Sequence, residues 1–243
     1  MRVLILTDVH ANFEALEAVL GDAAGQYDEI WNLGDTVGYG PNPVECIERL
    51  NAVATIQLSG NHDLACAGSV STADFNPIAR SAAEWTRDRL TSEQKAMLSA
   101  RPSRLDLDDV TLAHGSPRDP IWEYVIDPIS ATANMLHVES DLCFVGHSHV
   151  ALLAAIRPGD KNASLFPLSP GETIDLQLGR LLINPGSVGQ PRDGDPRAAY
   201  LLYDTERQTV VGKRVAYDIA TTQRKMRESG LPERLASRLS SGR

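Results

Sequence analysis

Five short stretches of this sequence gather Asp, Asn and His side chains, most of them beside glycine. They are Asp8-Val9-His10, Gly34-Asp35, Gly60-Asn61-His62-Asp63, His114-Gly115 and Gly146-His147-Ser148-His149. Carboxylate, imidazole and amide oxygen suit divalent ions such as Mn, Fe, Zn or Co, whereas thiolates select differently. The set holds more ligands than one tetrahedral ion needs. Two ions about 3.5–4 Å apart can share a bridging carboxylate and a bridging hydroxide, and clamp attacking and leaving oxygens. Taken singly, each residue has an ordinary alternative: Asp8 as a helix cap, His114 as a satisfied core histidine, Asp63 as a turn carboxylate. Their recurrence in order, at five predicted strand ends, makes the metal reading the stronger one.

The elements that must position these residues follow from the apolar pattern. Arg2–Thr7 is apolar and rich in β-branched residues, and reads as a buried strand running into Asp8. Asn12 stands where a helix N-cap would, with Phe13, Leu16 and Leu20 on one face of that helix. Glu29–Leu33 is the second strand, Pro43 to Leu50 a helix, and Val53–Leu58 a third strand leading to Gly60. Val110–Ala113 leads to His114 and Asp141–Val145 to Gly146, separated by a helix with Ile129, Ala133 and Leu136 on one face. In open α/β sheets ligands bind beyond the carboxyl ends of the strands, so five strand ends deliver their side chains to one rim. Five of the six histidines fall there, and His137 alone does not.

Thr72–Ala100 turns helical and reads as an insertion or cap beside the site. After residue 149 short strands predominate: Val150–Ile156, Ala163–Phe166, Thr173–Gln177 and Arg180–Ile183, then a hairpin of Ala198–Tyr203 and Thr209–Tyr217. They read as a second, mainly antiparallel sheet stacked on the first, with helices outside: an α/β sandwich. The tail, about 219–240, reads as two short helices broken at Gly230-Leu231-Pro232, with a fraying Ser/Arg end. No repeat or long linker divides residues 1–243, which predicts a single domain.

Composition narrows the function classes. The 23 Lys and Arg against 32 Asp and Glu give a net charge of −9, opposite in sign to a duplex nucleic-acid binder. Bound divalent ions would be the local charges that draw an anionic substrate to such a chain. No apolar stretch approaches the ~18 residues of a membrane span, and MRVLILTDVH reaches charge too soon for a signal peptide. Cys46, Cys66 and Cys143 lie far apart, as expected of buried reduced thiols in a cytoplasmic protein. Nothing in the sequence selects an oligomeric state.

The ordered motifs D-x-H, G-D-x-x-G-Y-G, G-N-H-D, H-G and G-H-S-H resemble those of the calcineurin-like metallophosphoesterase superfamily. The likeness covers residues 8–149 directly and reaches about residue 190 through Asn184-Pro-Gly-Ser-Val-Gly. It is greatest to small bacterial and archaeal phosphodiesterases and to symmetrical-type diadenosine tetraphosphatase-like proteins. The resemblance implies a four-layer αββα sandwich of two mixed β-sheets flanked by helices. It implies two divalent ions, Mn favoured for activity: one on Asp8, His10 and His149, the other on Asn61, His114 and His147, with Asp35 bridging. It further implies His62 as general acid beside the leaving group, oriented by Asp63 through its other ring proton.

The implied reaction is hydrolysis of phosphomono- or phosphodiesters, nucleotides among them, by a two-metal-activated hydroxide, with the Asn61 amide also on the phosphoryl oxygens. Two other classes share the resemblance: serine/threonine phosphoprotein phosphatases, whose motifs are not distinctive here, and non-catalytic protein-binding scaffolds. Scaffolds typically lose a ligand or the general-acid histidine, and this chain keeps both. Other residues have two roles open. Asn12 is a phosphoryl contact or only an N-cap, and Tyr39 and Asn42 shape a pocket or a tight turn. Arg118 and Arg192 bind a second phosphate or pair with Asp119, Asp193 or Asp195. Trp85, Trp122 and Tyr124 stack on a nucleobase or are buried anchors.

Overall fold

Alternation along the first strand sets the layers. Val3 and Ile5 face one side of it and Leu4 and Leu6 the other, and all four are fully buried. A strand whose two faces are both covered reads as one apolar run, and its period of two sends successive side chains into different cores. The computed structural model describes residues 1–73 and 75–243; Asp74, inside the stretch predicted to be helical, lies outside the described residues.

The strands are β1 (Arg2–Leu6), β2 (Glu29–Asn32), β3 (Ile56–Gln57), β4 (Arg104–Asp106), β5 (Val110–Ala113) and β6 (Leu142–Phe144). They continue with β7 (Ala151–Ile156), β8 (Ser164–Pro167), β9 (Thr173–Asp175), β10 (Arg180–Pro185), β11 (Ala198–Asp204) and β12 (Thr209–Val215). The helices are α1 (Phe13–Asp22), α2 (Pro43–Val53), α3 (Asn61–Ala67), α4 (Pro77–Arg87), α5 (Ser92–Ala100), α6 (Pro128–Met135), α7 (Ile219–Glu228) and α8 (Glu233–Arg238). No helix among the described residues is long and apolar enough to cross a membrane.

One sheet runs β3-β2-β1-β11-β12-β9 and the other β4-β5-β6-β10-β7-β8. In the first, β1 to β3 are parallel, while β11 joins β1 antiparallel with Leu4 opposite Leu202. In the second, β5, β6 and β10 are parallel and β7 closes antiparallel on β10, with Leu182 opposite Ala154. Both sheets are mixed, as the four-layer sandwich requires. The division of strands differs from the sequence reading, which assigned early strands to one sheet and late strands to the other. β5 and β6 instead join the later β7, β8 and β10, and β9, β11 and β12 join the first sheet.

The inner layer packs Val3, Ile5 and Leu33 against Leu112, Phe144, Leu153 and Ile183 from the facing sheet. Outside the first sheet, Leu16, Val19 and Leu50 of α1 and α2 cover Leu4, Leu6 and Tyr200. Outside the second, Ala131 and Met135 of α6 cover Val145, Leu152 and Leu182. The α6 face departs from expectation, because Ile129 and Leu136 are exposed at 83% and 62%. Asp127 caps that helix, accepting from the Ile129 and Ser130 amides, and so fixes which face turns inward.

The predicted helical stretch 72–100 resolves into two helices with local causes. Asn76 accepts from the Ile78 and Ala79 amides and Pro77 opens α4, while Thr91 and Gln94 form a capping box on α5. The C-terminal end, read as fraying, is hydrogen-bonded back onto the chain. Gly242 accepts from the Gly194 amide at 2.9 Å and Arg243 accepts from Arg238 Nε at 2.7 Å. The three cysteines are buried and unpaired.

Candidate metal centre

Each candidate ligand sits where a strand ends and the backbone is forced to turn. Asp8, His10, Asp35, His147 and His149 all adopt positive φ, between 48° and 65°. Side-chain-bearing residues avoid that region, and holding one there costs about 1–3 kcal/mol. Hydrogen bonds between loops hold these turns: Asp8 N donates to Gly34 O at 3.0 Å and His10 N to Asp35 O at 2.9 Å. Ser187 Oγ donates to Asp8 O at 2.8 Å, bringing the Asn184-Pro-Gly-Ser loop into the same scaffold. At Gly60 a Cβ would lie 2.2 Å from Asp35 Oδ1 and 2.6 Å from the His114 ring, so that strand end must be glycine.

The loops bring all seven predicted ligands together in two groups. Asp8, His10, Asp35 and His149 offer donor atoms within 4.8 Å of one another, and so do Asp35, His114 and His147. Asp35 belongs to both. Asn61 joins the second group, its Oδ1 lying 3.2 Å from His114 Nε2. His10 Nε2 lies 3.7 Å from Asp8 Oδ1 and 3.5 Å from Asp35 Oδ2, and His149 Nε2 lies 3.3 Å from Asp8 Oδ1.

The protonation pattern shows what this arrangement lacks. His10, His114 and His149 each turn Nδ1 to a backbone carbonyl, of Val37, Leu33 and Gln190, at 3.1, 3.1 and 2.6 Å. A neutral imidazole donating from Nδ1 has only a lone pair on Nε2. His10 Nε2 and His149 Nε2 are nevertheless 3.0 Å apart, lone pair facing lone pair. The carboxylates behave alike. Asp8 Oδ2 accepts from Thr7 Oγ1 and His147 N, and Asp35 Oδ1 accepts from His62 N. Asp8 Oδ1, Asp35 Oδ2 and His147 Nε2 are buried without a partner.

Acceptors crowded at 3.0–3.7 Å have roughly the spacing that neighbouring ligands of one ion would take. Ligand bonds of about 2.1 Å place cis ligands roughly 3.0–3.4 Å apart. The donor set therefore fits divalent cations. Burial favours the neutral form of both kinds of ligand, so an ion must displace protons from the carboxyls but finds the imidazoles ready. The Asp8 carboxyl is raised to about 7 and the Asp35 carboxyl well above the usual range. Burial also holds His10, His114 and His149 well below the ordinary histidine value and His147 at about 4, so the imidazoles stay neutral and ready to ligate.

A pH dependence follows. An ion binds the ionised carboxyls and must displace protons from them, so Mn²⁺ affinity should climb as pH rises through about 7. The Tm gained from saturating Mn²⁺, measured by calorimetry, should be larger at pH 8 than at pH 6, and EDTA should reverse it. A gain that is flat over that range would contradict the assignment of Asp8.

The remaining predicted residues divide. His62 is buried beside the centre, its ring 4.2 Å from Tyr39 and 4.9 Å from Phe75. Asp63 does not reach it. Its Oδ1 accepts from Val37 N at 3.0 Å and its Oδ2 from Gly60 N at 3.1 Å, leaving His62 Nδ1 unpartnered. The reason is helical: consecutive residues do not face each other, and Asp63 points back to the N-terminus of α3. It ties together the loops after β2 and β3. Asn12 is committed to the fold, capping Ala15 N, donating to Gly189 O and accepting from Thr222 Oγ1.

Arg118 pairs with Glu123 at 2.7 Å, not with the acids the sequence offered. Asp193 pairs with Arg214 and Asp195 with Arg197, which leaves Arg192 without a carboxylate partner among the described residues. Asn42 donates to Glu45, and Trp85 donates to Ser229 O as a structural anchor. Trp122 and Tyr124 are 41% and 47% exposed, so they are not buried anchors, and Tyr124 stacks on His147 with ring centres 4.0 Å apart. Sequence reasoning missed Phe75, Gln190, Arg234 and Arg238, which line the same mouth.

Comparisons with known proteins bear on the family and the fold. Residues 1–208 match the model of the calcineurin-like phosphoesterase superfamily domain. The crystal structure of a metallophosphoesterase from Sphaerobacter thermophilus is similar at TM-score 0.91 and 50% identity, over 100% of this chain and 99% of that one. An uncharacterized protein of Methanocaldococcus jannaschii is 36% identical over 248 residues, covering 99% of this chain and 98% of its own. The crystal structure of a putative diadenosine tetraphosphatase shares the fold at TM-score 0.53 and 14% identity, over 88% of this chain and 94% of that one.

Proposed function

This chain belongs to the calcineurin-like phosphoesterase superfamily, and from that premise we propose that it hydrolyses phosphomono- or phosphodiesters, nucleotides among them, at a centre of two divalent ions. The observation that carries the reading is Asp35, one buried carboxylate common to both donor groups. Its Oδ2 lies 3.5 Å from His10 Nε2 and 3.5 Å from His114 Nε2, with no donor of its own. In this reading Asp8, His10 and His149 hold one ion, Asn61, His114 and His147 the other, and Asp35 both. Manganese is the favoured pair. When bound, the ions supply an activated water and neutralise charge building on the phosphoryl oxygens.

The rest falls to the chain's own side chains. His62 Nδ1 lies buried against Gly38, so Nε2 is the ring nitrogen left for the cleft. Burial holds this imidazole neutral, and a phosphate anion beside Nε2 reverses that preference and loads the proton it hands to the leaving oxygen. Tyr39 and Phe75 fix the ring by packing in place of a carboxylate. Arg192, 5.7 Å from the Tyr39 ring, adds a fixed positive charge at the entrance.

Hydrolysis of p-nitrophenyl phosphate and bis-p-nitrophenyl phosphate with added Mn²⁺ tests the reading. Turnover that requires the metal is expected, and the ratio of the two substrates separates monoesterase from diesterase. A protein that binds Mn²⁺ yet turns over neither these nor any nucleotide would contradict it.

A further inference from the structure

Three arginines that pair with no Asp or Glu among the described residues face one cleft at the mouth of the metal centre. The cleft, about 680 Å³, takes Arg192 from the loop after β10 and Arg234 and Arg238 from α8. It shares Tyr39 and Tyr124 with a smaller cleft of about 250 Å³ that holds Asn61, His62 and His147, so the two lie side by side across those rings. Among the described residues no Asp or Glu lines the larger cleft, and none pairs with its arginines. Of the sixteen other arginines, ten pair with carboxylates.

The three charges are gathered deliberately close. Gln190 Oε1 accepts from Arg192 Nη2 at 2.9 Å and from Arg238 Nη1 at 3.2 Å, so a neutral oxygen holds two guanidiniums together. Arg192 Nε is buried without a partner. Arg238 also donates from Nε to Arg243 O at 2.7 Å, which fixes its fork. Arg234 lies four residues before Arg238 and therefore on the same helical face. Burial and the neighbouring Arg192 and Arg234 make Arg238 easier to deprotonate than usual, the signature of uncompensated positive charge. In a chain of net charge −9 this is a local reversal of sign, and a guanidinium fork matches the paired oxygens of a phosphate.

We propose that this arginine cleft binds a second phosphoryl group of the substrate, next to the phosphate at the metal ligands, so that the protein favours di- and oligophosphates over simple monophosphates. The proposal rests on the metal centre being the hydrolytic site. The Tyr39 and Tyr124 rings form the wall between the two phosphate positions. Metal and arginine then divide the anion between them.

Calorimetric titration of the Mn²⁺-loaded protein, with ADP against AMP as probes, isolates the second phosphate because the nucleoside and the phosphate at the metal ligands are common to both. Wild type should bind ADP about tenfold more tightly than AMP at moderate salt, as charge-assisted forked bonds predict. In Arg234→Ala/Arg238→Ala the preference should collapse to about twofold or less, while Arg238→Lys keeps part of it, because a point charge replaces the fork. An unchanged Tm would show that the double variant is folded. Equal affinity for ADP and AMP in wild type, or a preference that survives in the double variant, would overturn the proposal. Bis-p-nitrophenyl phosphate turnover with Mn²⁺ is followed in parallel. Turnover without an ADP preference removes the arginine site alone, and an ADP preference without turnover keeps that site and removes the hydrolytic reading.

Discussion

Asp35→Asn should abolish metal-dependent hydrolysis, with a fall in kcat/KM of roughly 10³-fold or more, about 4 kcal/mol of lost transition-state stabilisation. The size follows from the position of the residue. Asp35 is the one carboxylate in both donor groups, so a single substitution weakens both ion sites at once. Asparagine is nearly isosteric, and its amide oxygen can keep the bond that Asp35 Oδ1 accepts from His62 N at 2.9 Å. That orientation turns the NH₂ group towards the Nε2 lone pairs of His10 and His114, where it donates to them and occupies them. The variant should therefore fold while losing bound metal, as metal analysis and Tm together would report. Retention of a tenth of wild-type activity with full metal content would sink the bridging role.

His62→Ala should show a loss graded by the leaving group. A proton delivered to the departing oxygen matters most when that oxygen is strongly basic, and general acids are worth about 10²–10⁴-fold in such cases. An alkyl phosphoester should lose that much, whereas p-nitrophenyl esters, whose leaving group departs unprotonated, should lose little. The ring sits at 5% exposure between Tyr39 and Phe75, so its removal also leaves a cavity at the cleft wall. A purely structural effect would lower both substrates alike. Equal losses on alkyl and aryl esters would remove the general-acid assignment.

The donor residues were legible in the sequence because each stands immediately after an apolar run, and strand ends in an α/β sheet converge by topology. Asp8, Asp35 and His114 needed no tertiary information beyond that. What the sequence could not carry was orientation. Asp63 follows His62 directly, which invites a partnership that the geometry of α3 forbids. Asn12 resembles a substrate contact until Gly189 and Thr222, remote in sequence, are seen to take up its side chain. The sheet membership of β11 and β12 was hidden for a related reason. Their apolar alternation fits either layer, and only pairing of β11 with β1 decides between them.

The arginine cleft had one signal that was available and unused. Arg234 and Arg238 are spaced for one helical face in a tail whose Ser/Arg end reads as fraying. The positive φ of five candidate ligands had none, since His10 and His149 lack a neighbouring glycine to mark the turn. Those conformations persist because the loops that carry them bond to each other, from Gly34 to Asp8 and from Asp35 to His10. Backbone that is costly alone is held where several elements over-determine it.

The most direct test of the two-ion centre is anomalous diffraction from crystals of the protein grown with Mn²⁺. Two peaks per chain are expected, about 3.5–4 Å apart as in other two-metal sites, one beside Asp8, His10 and His149 and one beside Asn61, His114 and His147, with Asp35 touching both. A single peak, or two that do not share Asp35, would contradict the account.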